Sequence, residues 1–517
     1  MKRILSLVFA LTLTLGMFSF AAADGTAGDV VKLTMFVDAP WWPYSDWSGE
    51  MPKWATEQTG VDFDVTIAAD YNELALKVAS GNLPDIVITE NFNLMANSEL
   101  CYTWDELIEK YGLTTKLHPA YKYVNQASDG QTYTTMVGWS ADYEYKQYPQ
   151  VKPEGRAACV RDDIAQKVYA ELGIDSIRTL EDLEGAFAIC KRDYPDVLPY
   201  AFCGDWPLDY FTNELFGCAE AGFADEGDGY ARLWINQACR KNAYMKLNEW
   251  ASKGYISKET YAWSNIMTGG EWCTAGDLFC YALSDGNAAS QDYNSAKAGA
   301  PYTWTMLSNL YTDNTAYYQY RAGWRGIFIT KNCSNPEAAI RYAMFAVNKP
   351  TQYAMMWGVE GRDWNWNEDK TVAIFNYDIS KDTDYVAQLQ LRWGWLGHDG
   401  ISNNMYTVAK GGKTALGKAW VGSITKWQPV MGIIMHSMDP DGDMYIAYND
   451  IVQLEKDCAL GIIFAATPEE ASAKYDEMIE QATAMGAQEI EEWANTLYPD
   501  LLAGYNAVKD IGPEGWE

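Results

Sequence analysis

The chain has 517 residues and a formal charge of −31, from 39 Lys and Arg against 70 Asp and Glu, with 48 % hydrophobic and 21 % charged residues. That composition is globular rather than disordered, and the length fits about two to four domains. So acidic a surface repels nucleic acid and anionic lipid, which leaves neutral or cationic small molecules as the ligands to consider.

Lys2 and Arg3 precede an uncharged apolar run, Ile4 to Phe20, and Ala21-Ala22-Ala23 then offers a small-residue cleavage site. This is the layout of a secretory signal peptide over residues 1–23, with Asp24 as the mature start. No other segment approaches the ~20 apolar residues needed to cross a bilayer. The mature chain is therefore expected to be exported, periplasmic or extracellular. Ten cysteines occur without a single CxxC, and there are only three histidines, which argues against a zinc site of the usual spacing. An even cysteine count permits disulfides in an oxidising compartment, but free buried thiols fit equally well.

Aromatic residues carry more information. Of 22 Trp and 35 Tyr, many stand beside Gly, Asp, Asn or Pro: Trp41-Trp42-Pro43-Tyr44-Ser45-Asp46-Trp47, Gly138-Trp139, Asp205-Trp206, Gly323-Trp324-Arg325, Asp363-Trp364-Asn365-Trp366 and Trp393-Gly394-Trp395. An indole in such a loop offers a flat apolar face and one N–H donor, which suits a wet, partly apolar ligand.

In chain order, Val31 to Val37 reads as a strand that runs directly into the Trp-rich loop. Pro52 to Gly60 reads as a helix stopped by Gly60, Val61 to Ile67 as a strand, and Tyr71 to Ala79 as a helix stopped at Ser80-Gly81. The strand Ile86 to Ile88 comes next. Such alternation predicts a mainly parallel α/β sheet, whose ligands sit at the carboxyl ends of the strands. That places Asp38 to Trp47 and Glu90-Asn91 at one mouth. A second unit begins near residue 150, with an amphipathic helix over Arg161 to Leu172 and a capped helix opening at Thr179. Periodicity weakens from 205 to 320. It returns as a strand at Gly326 to Thr330, a helix capped by Asn335 and Pro336, and two closing helices from Thr467 broken at Gly486.

Several of these segments resemble extracellular solute-binding proteins of family 1, the substrate-binding components of ABC transporters. They are LKVASGNLPDIV (Leu76 to Val87), VRDDIAQKVYAELGIDSIRTLEDL (Val160 to Leu183), Asp129-Gly130-Gln131-Thr132-Tyr133, the Asn335 to Val347 helix, WGVEGRDW (Trp357 to Trp364) and the tail from Thr467 to Leu497. The resemblance is strongest to the larger, oligosaccharide-type members. It implies an α/β, two-lobed periplasmic-binding-protein-like fold of type II, with hinge crossings and a central cleft. Mapped onto this chain, lobe one would be 24–145 plus 325–375, and lobe two 146–324 plus 376–517. The implied partners are an oligosaccharide ligand and membrane ABC permease subunits, with the protein a monomer that closes its hinge around the ligand.

Two features depart from relatives. No lipobox cysteine lies near residues 18 to 25, so no lipid anchor is expected. The segment Lys191 to Asp196 lacks the calcium-ligand series that alginate-binding relatives carry there. A second loop with Asp439, Asp441, Asp443 and Asp450 hints at calcium, but Gly stands fourth and Asp twelfth where an EF-hand needs Gly sixth and Glu twelfth. No cofactor is expected, with calcium the one alternative, and an acidic turn is the plainer reading. Gly411-Gly412-Lys413-Thr414 lacks the leading Gly of a phosphate loop and reads as a turn. No GxSxG, HExxH or strand-borne GxGxxG is present. Seventy acidic residues always supply a carboxylate pair, so a glycosidase gains nothing from them. The chain reads as a binding protein, not an enzyme. A peptide receptor, a secreted glycan-processing enzyme and a surface adhesin are the alternatives.

The ligand-binding set expected from loop aromatics and planar polar groups is Trp41, Trp42, Trp47, Glu90, Trp139, Arg161, Asp205, Trp206, Trp324, Arg325, Arg362 and Trp364. For the tryptophans, packing within their own lobe is the competing role, and for Arg161 an intralobe salt bridge. Stacking indoles with a bidentate Arg or carboxylate are what a polyol needs: apolar C–H faces plus fixed hydroxyls.

Overall fold

A computed structural model describes residues 30–202, 210–263, 268–378, 382–397, 400–410 and 412–516. The signal segment, Cys203, Asp205, Trp206 and Gly411 lie outside the described residues. In chain order the strands are β1 (Val31–Val37), β2 (Val61–Ile67), β3 (Ile86–Thr89), β4 (Arg156–Arg161), β5 (Leu198–Phe202), β6 (Phe223–Asp225) and β7 (Ala231–Leu233). They continue with β8 (Leu278–Ser284), β9 (Trp304–Met306), β10 (Tyr317–Gln319), β11 (Gly326–Ile329), β12 (Trp364–Trp366), β13 (Ala373–Phe375) and β14 (Thr425–Trp427).

Two four-stranded sheets organise the chain. The first has the order β11-β3-β1-β2; β1 is parallel to both β2 and β3, and β11 returns antiparallel to β3. Every residue of β3 and β11 is buried, as in strands covered on both faces, while β1 and β2 also carry exposed Lys32, Thr34, Asp64 and Thr66. Leu33, Met35, Val37, Ile86, Ile88, Ile327 and Ile329 fill one face, and Phe36, Val87 and Phe328 the other. The second sheet has the order β5-β8-β4-β9, with β5 parallel to β8 and β4 antiparallel to both neighbours. Its core is the largest in the molecule and includes the closing helices Asp443–Ile463, Pro468–Ala484 and Ala487–Val508.

The expected stops and caps explain the helix ends. Gly60 and Gly173 take left-handed backbone (φ 69° and 68°), where a side chain is strained, and close the helices Glu50–Thr59 and Asp162–Leu172. Thr179 accepts from the Asp182 N–H while Asp182 accepts from the Thr179 N–H. Asn335 caps Pro336–Ala346, and Thr467 caps the helix that starts at Pro468.

Three parts differ from expectation. The Gly- and Asp-rich stretch between 205 and 320 contains the central strand β8 and the helices Cys239–Ser252 and Asp285–Lys297. The second of these helices buries small and polar residues (Ala288, Gln291 and Ser295), so it lacks an apolar stripe, whereas the first buries Tyr244, Leu247 and Trp250. Gly412 opens a helix to Ile424 rather than a turn. Finally, Tyr377, Leu389, Leu391, Trp393 and Leu396 pack into the core of the first sheet, so that core draws on residues beyond 375.

The segment 118–146 is gripped by the C-terminal helix and by the tail beyond it. Tyr123 donates to the Leu501 carbonyl, Tyr505 to Asp142, and Trp516 to the Tyr143 hydroxyl. Deeper in, Arg240 and Glu455 form a fully buried ion pair that also receives bonds from Trp234 and Tyr244. Among the described residues no helix is long and apolar enough to cross a membrane.

Candidate ligand-binding site

The carboxyl edge of the first sheet gathers the polar groups. Where β1 ends, the Asp38 N–H donates to the Ile88 carbonyl (2.9 Å), which holds the start of the Trp-rich loop against β3. The Asp38 carboxylate accepts from Thr89 Oγ1 (2.7 Å) and Asn91 Nδ2 (3.1 Å). Arg325, immediately before β11, is fully buried and reaches Glu90 at 3.3 Å. Burial pushes the Asp38 carboxyl up despite those hydrogen bonds, and it pulls the Arg325 guanidinium down despite Glu90 and Asp38.

Indoles surround that guanidinium. Its carbon lies 3.9 Å from the Trp324 ring centre, 5.1 Å from Trp41 and 5.3 Å from Trp42, within cation–π range of all three. Trp41 and Trp324 are stacked (6.1 Å, 19°), and Trp395 meets both edge-on. Trp41, Trp324 and Trp395 are each half-buried, so the cluster has open faces, while Trp42 and Trp393 line its floor.

Three loops distant in the chain, bearing Trp41, Trp324 and Trp395, converge here, and particular contacts align them. Gly323 has φ 120°, and a Cβ there would stand 2.6 Å from Met136 Cβ; its absence lets Trp324 donate to the Val137 carbonyl. Gln390 accepts from the Gly49 N–H (2.9 Å) and from Trp393 Nε1 (3.2 Å) and donates to Asp46 (2.9 Å). It thereby ties the first Trp-rich loop to the turn Leu391–Leu396 that carries Trp395.

Second-sheet elements flank the mouth. Asn93 donates to the Met435 carbonyl, Phe92 stacks on His436 (3.8 Å, 14°), and Arg321 lies within electrostatic reach of Glu90. Arg392, over the Trp395 ring at 4.8 Å, is within reach of Tyr293 on the helix Asp285–Lys297. The indole cluster thus lies where elements of the two sheet units meet.

Of the expected set, Trp41, Trp42, Glu90, Trp324 and Arg325 come together. Trp47 does not join them: it packs on Phe63, Tyr342 and Trp393 in the core and donates to Thr56 Oγ1. Trp139 is buried against Tyr121. Trp364 is buried among Trp357, Trp366 and Tyr353, with its N–H on the Gly358 carbonyl. Each is a core position, and for Trp47 and Trp364 a protein acceptor meets the buried indole N–H, so neither needs solvent. Arg161 closes β4 across from Trp304 of β9, paired with Asp163 and the Gly276 carbonyl over the Tyr302 ring. Arg362 pairs with Asp363 and Glu50 beside a separate recess of about 300 Å³. That recess has its polar groups bonded to one another: Asp363 accepts from Arg362, Tyr385 and the Val359 N–H. Trp393, Trp395 and Arg392 belong to the cluster but not to the expected set, although the Trp-Gly-Trp pattern signalled them.

At the two loops weighed for calcium, the acidic groups serve local structure. Asp439 caps a tight turn through the Asp441 N–H, Asp443 opens the long helix Asp443–Ile463, and Asp450 lies two turns inside it. At Lys191 to Asp196, Arg192 bridges Glu171 and Asp193. Among the described residues no group of three or more His, Cys, Asp or Glu is arranged to hold a metal ion.

No protein-family model matches the sequence, and no curated protein matches it. Solved structures do. An EF-hand mutant of the Streptococcus pneumoniae ABC-transporter substrate-binding protein FusA, in complex with fructo-nystose, superposes with TM-score 0.68 at 16 % identity, covering 92 % of this chain and 100 % of that one. The alginate-binding protein AlgQ2, solved without calcium ion, gives 0.67 at 15 % identity over 92 % and 99 %. A human-milk-oligosaccharide (HMO)-binding, ABC-transporter-associated solute-binding protein from Bifidobacterium longum infantis gives 0.62 at 12 % over 91 % and 99 %. The chain therefore has the two-lobed α/β fold of ABC-transporter substrate-binding proteins over more than nine-tenths of its length.

Proposed function

We propose that this protein is an exported, non-enzymatic receptor that captures an oligosaccharide between its lobes and delivers it to an ABC importer. The observation that carries this reading is the half-open cluster of Trp41, Trp324 and Trp395 around buried Arg325, at the carboxyl edge of the first sheet. Flat apolar faces beside fixed, partly desolvated polar groups match a sugar ring, which has C–H faces and a hydroxyl rim. The named ligands of the superposed proteins (alginate, fructo-nystose, human-milk oligosaccharides) support the same class.

Capture follows from hinge closure. A ligand stabilises the closed state only by the contacts it makes with both lobes at once. The first lobe supplies the indoles and Arg325; Tyr293, Arg321 and His436 stand on the facing side. Delivery requires a permease partner in the membrane, and a monomeric receptor suffices for it. On this reading the ligand leaves chemically unchanged, as the solutes of binding proteins do.

Thermal melting of the purified mature chain against oligosaccharides and oligopeptides tests the reading. At a hundredfold excess over Kd a ligand that binds only the native state contributes about 2.7 kcal/mol, which moves the transition by several degrees. The expected result is an upward shift with a glycan that chromatography then recovers intact. A shift with peptides alone, or cleavage of the glycan, would overturn it.

A further inference from the structure

Four polar atoms at this site are buried and have no hydrogen-bond partner among the described residues: Asp38 Oδ1, Trp42 Nε1, Arg325 Nε and Arg325 Nη1. They are neighbours, since the Arg325 guanidinium lies 5.3 Å from the Trp42 ring and Asp38 and Arg325 sense each other's charge. An unpaired buried donor or acceptor is costly, and native interiors avoid it unless a water or ligand completes the set. Three donors and one acceptor left open on neighbouring residues therefore describe the missing group.

Resting on the carbohydrate reading above, we infer that these four atoms, beside the Trp41–Trp324 stack, receive an uncharged, hydroxyl-bearing end unit of the ligand and exclude a carboxylate. A hydroxyl both donates and accepts, so a sugar edge satisfies Asp38 Oδ1 with its O–H while its oxygens take the guanidinium and indole N–H groups. A carboxylate only accepts. It would leave Asp38 Oδ1 unpaired and place a second anion beside a buried one. Nor is the Arg325 charge free to receive it, because Glu90 already stands 3.3 Å away. The two other guanidiniums at the mouth have partners of their own: Arg321 donates to the Tyr320 hydroxyl, and Arg392 lies over the Trp395 ring. A site built on paired hydroxyl contacts rejects analogues that cannot make them far more strongly than an apolar pocket rejects a wrong shape. Because the four atoms are buried and the Trp41 and Trp324 rings lie over the Arg325 guanidinium, those rings have to part for the end unit to reach them.

Titration calorimetry on the full mature chain tests this with two panels of matched length: neutral malto-, fructo- and chito-oligosaccharides, and oligouronides. We expect a neutral ligand to bind at least tenfold more tightly than any oligouronide. Asp38→Asn and Trp42→Phe should each weaken that ligand about tenfold or more. Trp42→Phe keeps an aromatic ring and deletes only the indole donor, so it decides the matter if Asp38→Asn fails to fold. Oligouronides binding as tightly as neutral glycans, or an unchanged affinity in Trp42→Phe, would overturn the end-unit inference and leave sugar capture standing. Binding in neither panel would remove the carbohydrate reading itself.

Discussion

Gln390 and Gly49 stand 341 residues apart in the chain and share a 2.9 Å hydrogen bond, the Gly49 N–H donating to Gln390 Oε1. A Cβ on residue 49 would fall 2.5 Å from Gln390 Cγ, so glycine is what lets the two loops meet. Gly49→Ala should cost about 1–3 kcal/mol through overpacking, seen as a lower urea midpoint. It should also weaken ligand binding, because it pushes the Trp395 turn away from Trp41. Gln390→Ala should reproduce the binding loss without the clash.

Truncating indoles should separate two classes. Trp47→Ala and Trp364→Ala empty core positions and are expected to cost about 3–5 kcal/mol in urea unfolding. Trp324→Ala, at a half-buried ring on the gap, should cost far less stability. Calorimetry with whichever glycan raises the melting temperature should show it weakening affinity about tenfold or more. Equal stability losses across the three would contradict the division between core indoles and those at the gap.

Acid–base behaviour offers a third check. Glu154 accepts from Asn403, and burial pushes its carboxyl up to about 7 from its ordinary 4.5, with Lys418 and Arg156 opposing and Asp285 assisting. Burial raises Glu214 as well, with the Glu220 charge adding to it. A carboxyl raised on folding binds its proton more tightly in the native chain than in the unfolded one. Its contribution is therefore fully present below about pH 4.5, declines as pH rises to about 7, and is flat above that. Urea midpoints taken across that window should fall with pH in the native protein. In Glu154→Gln the slope should be shallower.

The Arg240–Glu455 pair should behave asymmetrically. Glu455→Ala strands a buried guanidinium together with the Trp234 and Tyr244 donors, and should cost about 3–5 kcal/mol. Replacing both charged residues by apolar ones of similar volume should recover most of that loss. Chemical denaturation of the single and double variants checks both outcomes.

The first mouth was legible because strand–helix alternation in residues 31–89 is strong, and the rule that ligands sit at carboxyl strand ends then places Asp38, Trp41 and Glu90 without further help. Family-like segments supplied the two-lobed fold. What misled was the equation of polar neighbours with exposure. Trp47, Trp139 and Trp364 all sit beside Gly, Asp or Asn, yet tertiary packing buries them, and for Trp47 and Trp364 a Thr56 hydroxyl and a Gly358 carbonyl meet the indole N–H. Arg161 is held by a partner only two residues away, which its sequence neighbourhood could equally have suggested. Trp395 was hard to place for the opposite reason. Its turn follows no strand, and long-range contacts, the tie through Gln390 among them, bring it to the others.

The near-parallel approach of Trp41 and Trp324 has an optical consequence. Two indoles this close couple their electronic transitions, and coupled chromophores give a paired, opposite-signed band in circular dichroism that isolated ones do not. Loss of such a doublet on adding a sugar would mark the moment the rings separate, a label-free readout intrinsic to the chain.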